Sequence, residues 1–169
     1  MRLTQFSNFA VRILMYAGLK ESKTSAVSEM ARAYGISQDH LKKAAAELCQ
    51  IGTLKSVRGR RGGVRLAVPA KEINIGSIVR RTETTNSLVD CFDEETSSCP
   101  IADTCKFRLA LNEAVEAFFS VLDKYTLDDF ITDRREALAL RLSLANTPRS
   151  ETEDQHAVTL EEKQCRYRA

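Results

Sequence analysis

The 169-residue sequence contains no apolar run near the roughly 18 residues needed to span a bilayer. Its start, Met1-Arg2-Leu3-Thr4-Gln5, lacks the apolar stretch and small-residue cleavage site of a secretory signal. A cytoplasmic protein with no membrane partner is expected. Catalytic groupings are missing too. No nucleophile is paired with a base, and no two acids stand in a catalytic setting, because Asp128-Asp129 reads as a helix start. The Gly59–Gly63 run precedes a strand pattern rather than a helix, so it is not a phosphate loop. An enzyme is not expected. Histidine is scarce: His40 and His156 lie away from the cysteines, which removes the usual fourth ligand of a structural zinc site.

What is present is unevenly distributed. Residues 1–81 carry fifteen Lys/Arg against five Asp/Glu, and residues 82–169 carry ten against eighteen. The net charge of +2 therefore hides a basic first half and an acidic second half. A basic half suits a polyanion such as double-stranded DNA, where phosphate neutralisation supplies much of the affinity. Solvated charge without a partner has the same composition, so pattern must decide.

Residues 4–19 place Phe6, Phe9, Ala10, Ile13, Leu14 and Ala17 on one helical stripe, with Thr4 as N-cap. Val27 to Tyr34 reads as a short helix with Val27, Met30 and Ala31 inward. Gly35 supplies the turn, Ile36 points to the core, and Ser37 caps a second helix over 38–50. That helix buries Leu41, Ala44, Ala45 and Leu48. It leaves Ser37, Gln38, Asp39, His40, Lys42 and Lys43 near its start for bases and phosphates. This is a helix-turn-helix pattern. Residues 53–58 and 64–68 read as strands around a turn of Gly59, Arg60, Arg61, Gly62 and Gly63, flanked by Arg58 and Arg65. A hairpin wing with arginines at its tip suits phosphates or a narrow minor groove.

A short helix is expected over 75–81 with Ile75, Ile78 and Val79 inward, then a polar connector over 82–87. Cys91, Cys99 and Cys105 follow within fifteen residues, spaced C-x7-C-x5-C. Three sulfurs on one loop suit a thiophilic metal centre or a reversible disulfide. From Phe107 to about Lys124 runs the longest helical pattern. Ala110, Ala114, Ala117 and Val121 form one stripe, Leu111, Val115, Phe118 and Leu122 lie beside it, and Arg108, Asn112, Glu113 and Glu116 lie opposite. So wide a face suits pairing with a second subunit or packing on the chain's own winged domain. A helix capped by Thr126 comes next and continues weakly over 134–144. The polar segment from 145, with His156 and Cys165, is expected to be a disordered tail. The fold expected is mainly α with a small β wing: a winged helix-turn-helix domain (1–87), a cysteine loop (88–106), a long C-terminal dimerisation helix region (107–144) and a tail (145–169).

Several stretches resemble the winged-helix iron–sulfur repressors, the family that includes NsrR, RirA and IscR. They are Met1–Phe6, Tyr34-Gly35-Ile36-Ser37, His40-Leu41, the wing Val57–Leu66, Cys91-Phe92-Asp93, Cys99-Pro100-Ile101-Ala102 with Cys105, and Leu122–Leu127. The last stretches look most like NsrR. The resemblance implies a homodimeric repressor at a palindromic operator, with Cys91, Cys99 and Cys105 holding an iron–sulfur cluster, four-iron in preference to two-iron. Its signal would be nitric oxide or iron status. In NsrR-like proteins an aspartate of the partner's first helix can complete the ligand set. Here that position is Asn8, a poorer ligand, with Arg12 one turn on, and RirA-like members are more similar there. A metal-free thiol switch remains the third reading, and Cys49 and Cys165 have no assigned part.

Overall fold

The computed structural model of the protein describes residues 3–21, 23–59, 62–83, 92 and 99–144. Cys91, Arg60 and Arg61, most of the polar connector, and the expected tail with His156 and Cys165 lie outside them.

Helix α1 (Gln5–Leu19) starts at Thr4, whose hydroxyl accepts the Ser7 N–H at 3.2 Å. Its Ala10, Ile13, Leu14 and Ala17 are buried, while Phe6 and Phe9 are partly buried against them. Helix α2 (Val27–Tyr34) ends at Gly35, which adopts φ 64° and bonds back to the last turn. A side chain there would be strained, so glycine stops the helix and sets the corner. Helix α3 (Gln38–Ile51) begins at Ser37 and buries Leu41, Ala44, Ala45 and Leu48 against α1 and α2. One expectation is corrected here. Ser37 occupies the N-cap position, but its side chain makes no capping bond; its carbonyl accepts from Leu41 instead.

Strands β1 (Leu54–Val57) and β2 (Gly63–Leu66) pair antiparallel, with Leu54 opposite Leu66 and Lys55 opposite Arg65. Ser25, in the loop between α1 and α2, exchanges two backbone hydrogen bonds of 2.9 Å with Val64 and ties the wing to the helices. A Cβ at Gly63 would overlap the Ser25 carbonyl, which explains glycine at this point. A 3-10 turn (Ala70–Glu72) leads to α4 (Ile75–Thr82), capped by Asn74. Thr82, expected in the polar connector, ends α4 instead and is 2% exposed.

After a 3-10 turn at Ala102–Thr104 comes α5 (Lys106–Leu122), then α6 (Leu127–Ile131) and α7 (Arg135–Arg141). Thr126 and Asp129 form a reciprocal capping box at the start of α6. Leu127, Ile131 and Leu144 are buried in the same core as α1, so the chain returns to its first helix. Gly18 permits this: a Cβ there would lie 2.7 Å from Ile131 Cδ1.

Helix α5 buries only one edge of its broad apolar face. Val115 and Phe119 are the buried pair, while Ala110, Ala114, Ala117 and Val121 are exposed. The reason is Arg80 on α4. Its guanidinium lies 4.5 Å over the Phe119 ring and pairs two-point with Asp123 at 2.5 and 2.7 Å. That contact turns the edge bearing Arg108, Asn112 and Glu116 toward α4 and leaves the alanine stripe outside.

Candidate nucleic-acid interface and cysteine site

The first turns of α3 form the exposed end of the helix-turn-helix. Ser37, Gln38, Asp39, His40, Lys42 and Lys43 are all exposed. Lys42 Nζ lies 3.2 Å from Asp39 Oδ1, with both side chains largely in solvent. Such a pair contributes only about 0–1 kcal/mol, so Lys42 can exchange it for a phosphate. His40 is exposed yet not wholly unoccupied. Its ring stacks on Phe9 of α1 with centroids 6.0 Å apart and planes 17° apart. The sequence pattern gave no sign of this contact, because it joins two separate helices.

On the wing, Arg58 is exposed and Arg65 is partly buried, while Arg60 and Arg61 fall outside the described residues. Lys55, not singled out from the sequence, is exposed and faces Arg65 directly across the strand pair. Like charges directly opposite one another destabilise a ladder, so an anion on this face would stabilise it. Strand alternation was the signal that could have found Lys55: Leu54 points in and Lys55 points out.

On the other side of α1, Asn8 is exposed and Arg12 is partly buried. The Arg12 guanidinium lies 5.6 Å over the Tyr34 ring, and the Tyr34 hydroxyl donates to the Arg12 carbonyl at 3.0 Å. Burial pushes the Tyr34 hydroxyl up to about 12, partly offset by Arg12, so the phenol stays a neutral donor. Behind it, Tyr16 donates to Glu29 at 2.8 Å and Lys20 pairs with Glu29 at 3.1 Å. Burial pushes the Glu29 carboxyl up, but those two hydrogen bonds outweigh it and hold it below the usual range.

Of the three clustered cysteines, Cys99 and Cys105 are described. Cys99 is exposed and opens a turn closed by Ala102 N–H to the Cys99 carbonyl at 3.2 Å. Cys105 is the N-cap of α5, and its sulfur accepts the Arg108 N–H at 3.4 Å. The sulfur thus stands at the N-terminal end of a 17-residue helix and takes one of its backbone N–H groups. Phe92, next to Cys91, lines a cavity of about 350 Å³ with Arg80, Arg108 and Phe119. The residue after Cys91 and the residue bonded to Cys105 thus share one cavity wall. Among the described residues no three His, Cys, Asp or Glu side chains form a metal-sized group. Cys99 and Cys105 lie on either side of the 3-10 turn Ala102–Thr104, whereas Asn8 belongs to α1. Cys49 is partly buried on α3, and burial pushes its thiol up.

A helix-turn-helix with a hairpin wing and a basic exposed face defines a DNA-binding regulator of the winged-helix class. The comparisons narrow the class. Residues 3–133 match the Rrf2 family, described as iron-dependent transcriptional regulators, and the chain belongs to that family. It is 43% identical over 141 residues to the HTH-type transcriptional regulator NsrR of Oceanobacillus iheyensis, covering 83% of this chain and 96% of that one. It is 44% identical over 134 residues to protein aau3 of Rhizobium meliloti, covering 79% of this chain and 87% of the relative. Among solved structures it is similar to T. potens IscR, with a TM-score of 0.65 at 23% identity, covering 81% and 90% of the two chains. The protein is a transcriptional regulator, and its membership implies an iron–sulfur cluster.

Proposed function

We propose that the protein is a homodimeric repressor whose operator affinity is set by an iron–sulfur cluster on Cys91, Cys99 and Cys105, with nitric oxide as the signal. The observation that carries this reading is Cys105 at the N-cap of α5, on a helix clasped by Arg80 to the winged domain. A change at the sulfurs therefore acts on an element fastened to the reading head. When bound, a four-iron cluster with three thiolate ligands supplies one iron site open to a small diatomic molecule or to loss.

The chain's residues divide the remaining work. Residues 1–87 read DNA, 88–106 sense, and 107–144 pair two subunits. Gln38 and His40 lie where a recognition helix meets base edges; Ser37, Lys42, Lys43, Arg58, Arg60, Arg61 and Arg65 suit phosphates and the minor groove. Phe107 and Val121 are 68% and 50% exposed, on the face with Ala110, Ala114 and Ala117. Among the described residues none covers this face, and small residues along it would let a second α5 approach closely. In the dimer, Asn8 and Arg12 of one subunit would approach the other subunit's cysteines, as the NsrR resemblance implies.

Iron sensing by cluster loss is the second reading, and Asn8 favours it. An exposed neutral amide binds iron weakly, so the cluster would be released more readily than with a carboxylate. Protein reconstituted anaerobically with iron and sulfide separates the two readings. Nitric oxide sensing predicts release of operator DNA within one nitric oxide titration, with a chelator acting slowly. Iron sensing predicts release by the chelator alone and little response to brief nitric oxide exposure. Protein that stays colourless and iron-free, or Cys99→Ser and Cys105→Ser variants that keep full iron, would sink both.

A further inference from the structure

The first turn of α1 is held from outside its own helix. No acid lies in that turn, and the charge that complements its N-terminus comes from Glu83, immediately after α4. Glu83 Oε1 accepts the Thr4 N–H at 2.9 Å and the Thr4 hydroxyl at 3.0 Å. One residue earlier, Thr82 Oγ1 lies 2.9 Å from Ser7 Oγ, and both residues are buried. Ser7 Oγ lies 3.1 Å from Thr4 Oγ1. An ionised carboxylate only accepts. Thr4 therefore donates to Glu83, and the Thr82 hydroxyl lies between the Ser7 hydroxyl and the Ile78 carbonyl, 2.9 Å from each.

Both ends of this network lead somewhere. Asn8 and Phe9 directly follow Ser7, and Phe9 stacks on His40 in the first turn of α3. In the other direction, seven residues separate Glu83 from Cys91. The other stem of the cysteine segment, Cys105, starts α5, whose far end is clasped to α4 by Arg80 and Asp123. Asn74 adds a bond to the Asp123 carbonyl at 2.7 Å. Both stems of the segment thus lead back to α4.

We propose that Thr82 and Glu83 form a positioning latch that passes the state of the cysteine segment to the first turn of α1, and through Phe9 and His40 to the reading helix. The proposal rests on the cluster-regulated reading above. The bistable element is the α1 N-terminus, capped by Glu83 in one state and uncapped in the other. Rearrangement between Cys91 and Cys105 draws Glu83 from Thr4, and Ser7 loses its ordered partner.

The test uses the full chain as wild type and as Glu83→Ala, Thr82→Val and Thr82→Ser. Operator affinity is measured for the reconstituted and cluster-free forms of each, and amide exchange is followed on the reconstituted proteins. In wild type the ratio of the two affinities is expected in the range of about 5–150-fold. Glu83→Ala and Thr82→Val should bring that ratio to within about twofold of unity, while Thr82→Ser, which keeps the hydroxyl, retains it. Exchange at residues 7–10 should quicken about tenfold in Glu83→Ala while α2 and α5 keep their protection. A purely structural role would weaken both forms equally and leave the ratio intact, which overturns the latch. If Thr82→Val does not fold, Glu83→Ala, at a partly exposed helix end, decides alone. A wild type with no difference between its two forms would instead overturn the cluster-regulated reading itself.

Discussion

At Asp123 one carboxylate joins the end of α5 to Arg80 of α4. The Arg80 hydrogen bonds hold its proton affinity below the ordinary aspartate value of 3.8, and Asp129 is lowered likewise by the Thr126 backbone and hydroxyl. A depressed carboxyl contributes stability that is complete above its unfolded value and is lost as pH falls through the folded one. Unfolding midpoints in urea should therefore fall as pH drops below about 4, and Asp123→Asn should flatten that dependence. A Cβ at Gly76 would overlap the Asp123 carboxylate. Gly76→Ala should accordingly destabilise the fold by about 1–3 kcal/mol in denaturant melts, because the clasp must shift to admit a methyl group. On the wing, Lys55→Ala should reduce the log–log salt slope of operator binding by about 1, as removal of one phosphate contact does. A slope equal to wild type would place Lys55 off the DNA.

Among the elements, legibility followed the reach of the signal. Helices α1, α2 and α3 and the two strands were readable because caps, Gly35 and apolar periods act within a few residues. The Thr126–Asp129 box announced α6 in the same way. Thr82 looked like connector because its buried partner, Ser7, lies 75 positions away. The orientation of α5 was hidden for the same reason. Its sequence offers a broad apolar face, and the edge that is buried, with Phe119 under Arg80, is set by packing against α4. For the candidate site, the C-x7-C-x5-C spacing and the basic tip were visible in the sequence, whereas Lys55 and the Phe9–His40 stack needed the fold. The exposed alanine stripe of α5 carries its own prediction. If subunits pair through this stripe as proposed, Ala114→Arg should give a folded monomer in sedimentation, with unchanged helical content. A variant still dimeric would show that subunits pair elsewhere.

For the whole molecule, among the described residues, helices α5 and α6 share one core with the helix-turn-helix and the wing. Helices α6 and α7 return to α1, and Arg135 donates to the Leu19 carbonyl at 3.1 Å, fixing the end of α1 opposite Glu83. The first helix is thus held at both ends by residues that flank the cysteine segment in sequence. Under the proposed latch no large motion is needed, because a shift at Glu83 meets Thr4 directly and Ser7 through Thr4, and Phe9 next to them stacks on His40. The most direct measurement is operator binding by anaerobically reconstituted protein, followed by anisotropy while cluster absorbance is recorded in the same cuvette during a nitric oxide titration. The account predicts that the two signals change together and that operator affinity falls as the absorbance is lost. Absorbance that bleaches completely while operator affinity stays constant would contradict it.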